Sequence, residues 1–166
     1  MTTRKLVFAA IVAAAYAALT LALGFISYGP LQLRVAEALC VLPFFFPFTV
    51  WGLSVGCVLA NIISPLPLDI IVGAAATLLA ALCTALIGKM GRERAGAKIF
   101  ACLPPVIFNA VFVGALIAYH SGEAFMPAFI GNGLLVGSCE FVVMYALGLP
   151  LLIFLPKTKL FGELSK

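Results

Sequence analysis

Apolar runs fill most of this chain, and short clusters of polar, glycine and proline residues divide them. Clear runs cover Leu6–Phe25, Asp69–Met90, Ile99–Tyr119 and about Ala128 to Leu155. Each can form a helix across a hydrocarbon layer about 30 Å thick, which takes about 20 residues. Segments such as Leu78–Ile87 and Leu149–Leu155 do not alternate apolar with polar, so they lack the period of two that marks membrane-barrel strands. The pattern predicts helices. Arg34–Ile63 is ambiguous by pattern alone: about 30 residues at 1.5 Å rise make one very long helix or two short ones.

Charge decides that point. Arg4 and Lys5 stand at one end, Lys89, Arg92, Arg94 and Lys98 form a middle loop, and Lys157, Lys159 and Lys166 end the chain; of the ten basic residues only Arg34 is left over. Short loops rich in Lys and Arg stay in the cytoplasm, so all three clusters are expected on that side. An even number of spans must then separate the first cluster from the second. The ambiguous stretch therefore counts as two helices, broken near Pro43–Pro47, where proline disrupts helix. The expected fold is an all-α membrane protein: a six-transmembrane-helix bundle with both termini cytoplasmic, and residues 1–166 as a single transmembrane domain in the cell membrane. Its outer connections are Ser27-Tyr28-Gly29-Pro30, Ser64-Pro65-Leu66-Pro67 and His120-Ser121-Gly122-Glu123.

Composition agrees with this reading. Hydrophobic residues make up 64% of the chain and charged residues 10%, and mean hydropathy is +1.23. A soluble domain carries about a quarter of its residues as charge, and a small one could not hide this much apolar surface. Lipid solvates it instead, provided the backbone satisfies its own hydrogen bonds. The first run is long for a cleaved signal and fits a full span better.

Several chemistries find no support. The cysteines, at 40, 57, 83, 102 and 139, lie in apolar runs without the close spacing of a metal or redox motif, and read as small hydrophobes. His120 is a lone histidine at a helix end. Gly88-Lys89 lacks the rest of a phosphate-binding loop, so any use of ATP belongs to another chain. No nucleophile–base pair is visible, and neither an enzyme, a cofactor, a metal nor a nucleic-acid partner is expected.

Polar residues within the spans carry the candidate function, since an ionisable group near the bilayer centre costs about 2.5–3.5 kcal/mol. Glu140 lies near the middle of the last span on a stripe with Gly133, Gly137 and Met144, and the glycines would leave room for a ligand or allow close helix packing. Asn109 lies mid-span after Pro104-Pro105, which would bend that helix inward. Asn61 ends the third span and Asp69 begins the fourth, where it either caps its helix or meets a ligand. Arg34 and Glu37 are three apart and close enough to pair; Asn132 is a weaker candidate. Together they describe an outward-opening polar pocket, rich in carboxylates and amides, suited to a small neutral or cationic ligand with many hydrogen-bond donors. Phe25, Tyr28, Phe44–Phe46 and Trp51 would supply flat surfaces beside it or face lipid. In the first span Ala9, Ala13 and Ala17 repeat every four residues, as do Ala10, Ala14 and Ala18. Such a small-residue face serves packing within the bundle or docking of another protein.

The segment Tyr28-Gly29-Pro30-Leu31-Gln32-Leu33-Arg34-Val35-Ala36-Glu37-Ala38-Leu39, followed by Val41-Leu42-Pro43, resembles the signature of the QueT family. These are substrate-binding S-components of energy-coupling factor (ECF) transporters, associated with uptake of queuosine precursors. The resemblance extends to chain size, six-span layout and the basic loop after the fourth helix. It implies a membrane subunit that binds substrate from outside, while a transmembrane coupling protein and two cytosolic ATPases drive its reorientation. It further implies a coupling interface at Ala9 and Ala13 and a pocket closed by the loop before Arg34. A 7-deazaguanine presents adjacent N–H donors to one carboxylate, Glu140 or Asp69, and a carbonyl to an amide of Asn109, Asn61 or Gln32. The alternative is a stand-alone proton-coupled carrier of a small polar or cationic metabolite, using Glu140 and Asp69. A membrane assembly protein with no small ligand is the other rival.

Overall fold

A computed structural model describes residues 2–28, 32–158 and 161–162, with the side chain of Ala95 excepted. The expectations attached to Gly29–Leu31, Lys159 and Lys166 lie outside the described residues. Every element among those described is helical. α1 spans Thr3–Ala22 and α2 is the single turn Gly24–Ser27. A 3-10 helix follows at Val35–Phe44, then α3 at Thr49–Asn61 and α4 at Asp69–Gly91. α5 (Ala95–Phe100), α6 (Leu103–His120), α7 (Phe125–Val143) and α8 (Leu149–Phe154) complete the order. A π-helical turn, Met144–Gly148, joins α7 to α8.

Among the described residues, four helical segments are long and apolar enough to cross a membrane: Thr3–Ala22, Asp69–Gly91, Gly96–His120 and Phe125–Lys157. Val35–Phe44 and Thr49–Asn61 are shorter apolar helices. The ambiguous stretch is thus two helices, and the break falls at Phe45–Phe48. Pro43 sits inside the 3-10 helix, and Pro47 lies in the break. Pro104 and Pro105 occupy the first turn of α6, where no intrahelical N–H is lost. A two-residue turn, Ala101–Cys102, separates α5 from α6 just before those prolines.

Large apolar side chains lie on the surface, and several polar ones lie inside beside the apolar core. Ile71, Trp51 and Met90 are 70%, 64% and 83% exposed, whereas Arg34, Glu37, Asn61, Asp69, Asn109 and Glu140 are all buried. Exposed apolar side chains on this scale suit a lipid solvent.

The 3-10 helix is the axle of the bundle, in contact with α1, α3, α4, α7 and α8. Ten residues is a long run for this conformation, which is uncommon beyond three or four. Its side chains eclipse at i and i+3, so Cys40 lies directly along the row from Glu37, and the Cys40 thiol donates to Glu37 Oε2 at 3.0 Å.

Small residues set the helix approaches. Gly52 and Gly56 of α3 meet the α1 backbone at Ala9 and Ala13; a Cβ at Gly56 would lie 2.7 Å from the Ala13 carbonyl oxygen. Ala9 and Ala13, expected at the coupling interface, face α3 here. Both are buried, 5% and 6% exposed, because α3 fills the space before them. The second row, Ala10, Ala14 and Ala18, is the one left exposed. Gly114 of α6 meets Gly133 of α7, where a Cβ would stand 2.7 Å from the Gly133 Cα, and Gly137 abuts Ala110. The glycine stripe above Glu140 therefore admits α6 rather than a ligand.

Candidate functional site

Arg34 is the N-cap of the 3-10 helix, with an extended ψ of 95°. That conformation takes its side chain off the row of Glu37, so the expected Arg34–Glu37 pair does not form. Arg34 reaches across to α4 and forms a buried ion pair with Asp69. The same guanidinium donates to Gln32 Oε1 at 3.3 Å and lies 5.9 Å from the centre of the Tyr28 ring. Gln32 has φ +49°, a left-handed backbone that is uncommon outside glycine, and its own side chain is held by the arginine it precedes.

Asp69 does not cap its helix through its side chain. Its Oδ2 takes the Arg34 contact and also accepts from the Ser64 hydroxyl at 3.2 Å, while the Asn61 amide donates to the Asp69 carbonyl at 2.8 Å. One turn into α4, Gly73 makes room for this arrangement: a Cβ there would lie 2.5 Å from Asp69 Oδ1 and 2.7 Å from Asn61 Nδ2. Tyr28 is tied to the end of α3, its hydroxyl donating to the Ala60 carbonyl at 2.5 Å.

Glu37 occupies a second polar centre. The Tyr16 hydroxyl of α1 donates to its Oε1, as does the Thr77 hydroxyl of α4 at 3.3 Å. With Cys40 this satisfies both carboxylate oxygens, and it fastens α1, the 3-10 helix and α4 together.

Gln32, Arg34, Asn109 and Glu140, with Val113 and Val136, line one cavity. Its volume is about 10 Å³, the space of roughly one water molecule. Glu140 Oε1 is buried there without a hydrogen-bond partner. Asp69 Oδ1 and Asn61 Oδ1 are likewise unpartnered. Buried polar groups are almost always paired, so the unmet Glu140 oxygen on this cavity stands out. The chemistry is one-sided: a guanidinium already neutralised by Asp69 shares the cavity with a carboxylate that has one oxygen unpartnered. A guest offering N–H donors toward Glu140 and an acceptor toward Arg34 or Asn109 would complete it. The cavity must widen to receive anything as large as a nucleobase, since small-molecule sites are usually some 300–1,000 Å³.

The structure thus gathers Gln32, Arg34, Asn109 and Glu140 on one cavity, sets Asn61 and Asp69 directly behind Arg34, and separates Glu37 into its own network. Asn132 bonds back to the Ala128 carbonyl of its own helix at 2.8 Å and does not join them. Of the aromatic residues, Tyr28 alone stands beside the site. Phe44–Phe46 are buried in a cluster with Phe8, Phe48 and Phe161, and Phe25 and Trp51 are exposed. Sequence reasoning missed Tyr16, Ser64, Gly73 and Thr77. Tyr16 left a signal, a lone phenol in an alanine-rich span that needs a partner when buried. Thr77 left none, since a helix threonine can bond its own backbone.

A family model described as QueT transporter matches residues 6–157. The chain is 42% identical over 78 residues to a protein named Queuosine precursor transporter QueT from Lactococcus lactis subsp. cremoris (strain MG1363). That match covers 46% of this chain and 46% of the relative, so it spans about half the relative's length. No solved structure matches the chain.

Proposed function

The chain belongs to the QueT transporter family, a family of transporters and not of enzymes, and from that premise we propose that it binds a queuosine precursor, a 7-deazaguanine base or queuine, as the substrate-binding subunit of an ECF importer. The observation that carries the proposal is Glu140: a buried carboxylate with an unpartnered oxygen, on a cavity shared with Arg34, Gln32 and Asn109. The adjacent ring N–H and amino group of a deazaguanine are two parallel donors that one carboxylate accepts together. Its carbonyl accepts from Asn109 or from an N–H of Arg34. The polar groups behind, Asn61 and Asp69, fix Arg34 so that its donors point consistently.

In the bilayer the proposal takes six crossings with both termini cytoplasmic. Val35–Phe44 and Thr49–Asn61 each reach about 20 Å, and their connections extend them toward the two surfaces. The basic clusters support one shared end: Arg92 donates to the Phe45 carbonyl at 2.8 Å and Lys5 lies 5.9 Å from the centre of the Phe48 ring. The exposed row Ala10–Ala14–Ala18 supplies the close-approach surface that a coupling transmembrane protein requires, and the two ATPases act through that protein.

Titration of the purified chain with guanine, the 7-deazaguanine bases and queuine tests substrate. Binding of the deazaguanines with no binding of adenine is expected; no heat with any of them removes the assignment. Reconstitution in vesicles tests the division of labour. Uptake only when the coupling protein and ATPases are present is expected, whereas uptake by the chain alone would favour the stand-alone carrier.

A further inference from the structure

Away from the polar site, a groove of about 390 Å³ opens on the outer face of the bundle between α4 and the Phe45–Phe48 break. Pro47, Leu82, Ala85 and Leu86 form its wall, and Lys89 and Arg92 stand at its mouth. Lys89 is exposed at the last turn of α4. Arg92 is exposed as well but fixed: its guanidinium donates to the Phe45 carbonyl at 2.8 Å and lies 5.7 Å from the centre of the Phe45 ring. One cation is thus anchored and the other free to turn, both above an apolar trough. Behind them Gly88 meets the Phe44 backbone so closely that no side chain fits there, which shuts the inner side of the groove.

We propose that this groove seats one anionic phospholipid, its acyl chain along Leu82, Ala85 and Leu86 and its phosphate at Lys89 and Arg92. Within a bilayer an apolar cleft of this size is not left empty, because its lining would forfeit dispersion contacts. Any lipid tail can fill it; the headgroup is chosen by charge. Two cations side by side, with no carboxylate lining the groove among the described residues, disfavour a zwitterionic headgroup and attract a net negative one. The anchored guanidinium adds geometry, since it presents planar N–H donors that match phosphate oxygens. The site is independent of the substrate carried.

Native mass spectrometry of the full chain, with phosphatidylglycerol and phosphatidylcholine of identical acyl chains, tests the proposal. Phosphatidylglycerol should be retained at least about fivefold more strongly, and Lys89→Gln should remove about fivefold of that preference. Arg94→Gln removes the same charge from the neighbouring loop but not from the groove, and should leave the preference unchanged. Ala85→Trp fills the trough and should release the retained lipid. Equal retention of the two lipids by the native chain would overturn the assignment, as would an equal effect of Arg94→Gln and Lys89→Gln, the mark of diffuse attraction. A groove reserved for another membrane protein would give the first of these results.

Discussion

Arg34 and Asp69, 35 residues apart in sequence, form an ion pair with side chains 6% and 1% exposed. The pair joins the entry of the 3-10 helix to the first turn of α4, on the border of the candidate site. Asp69→Asn would leave the guanidinium buried without a counter-charge, and is expected to cost about 3–5 kcal/mol of stability. Thermal unfolding in detergent reads this as a lower Tm. Arg34→Met combined with Asp69→Asn should lose clearly less than the sum of the single losses; strict additivity would mean that the two residues do not interact.

Glu140→Gln separates binding from folding. The oxygen at issue has no partner to lose, and an unmet buried acceptor is itself unfavourable by about 1–3 kcal/mol. Stability should therefore hold or rise. Binding of a 7-deazaguanine should fall by at least about 3 kcal/mol, or two orders of magnitude, because an amide donor would face a ligand donor. Glu140→Asp should lose less, since the charge remains and only the reach shortens. Calorimetry on the folded Gln variant decides: near-original affinity would remove Glu140 from the site and leave Asp69 as the leading acceptor.

The two alanine rows of α1 predict opposite phenotypes. Ala9→Trp and Ala13→Trp drive bulk into Gly52 and Gly56, and should abolish folded yield. Ala10→Trp and Ala14→Trp project from the bundle and should fold and bind substrate, yet fail in uptake assays with the coupling protein and ATPases. Full uptake by the second pair would mean that the exposed row is not the docking surface.

Gly73→Ala places a methyl group 2.5 Å from the Asp69 carboxylate and 2.7 Å from the Asn61 amide. Overpacking of this kind costs about 1–3 kcal/mol. Gly96→Ala is the matched control, because nothing lies within 4 Å of its added carbon and alanine favours helix. Chemical denaturation should show the first variant weakened and the second unchanged or strengthened.

Sidedness is open to thiol labelling in whole cells. Cysteine at Pro65 or Ser121, both exposed in connections between helices, should react with an impermeant reagent from outside. Cysteine at Arg92 should react only after the membrane is opened. External labelling at Arg92 would reverse the orientation inferred from the basic clusters.

Sequence by itself determined the solvent and the segmentation. A chain with 64% hydrophobic residues can fold only where lipid covers its surface; run lengths fixed four long helices, and the basic clusters divided the stretch between the first and the second. It also singled out the interior polar residues, because each is too costly in lipid to be incidental. Pairing lay beyond it. Sequence spacing offered Glu37 to Arg34, but the extended backbone at Arg34 turned that side chain toward Asp69. Two alanine rows with one period were equivalent on paper, and only the position of α3 made one internal and the other external. The glycines above Glu140 read as space for a ligand or as helix contact, and only the position of α6 showed the contact. Each of these choices depends on which neighbour faces which side of a helix. That rotation is fixed by packing against elements distant in the chain, and periodicity along one segment holds no record of it.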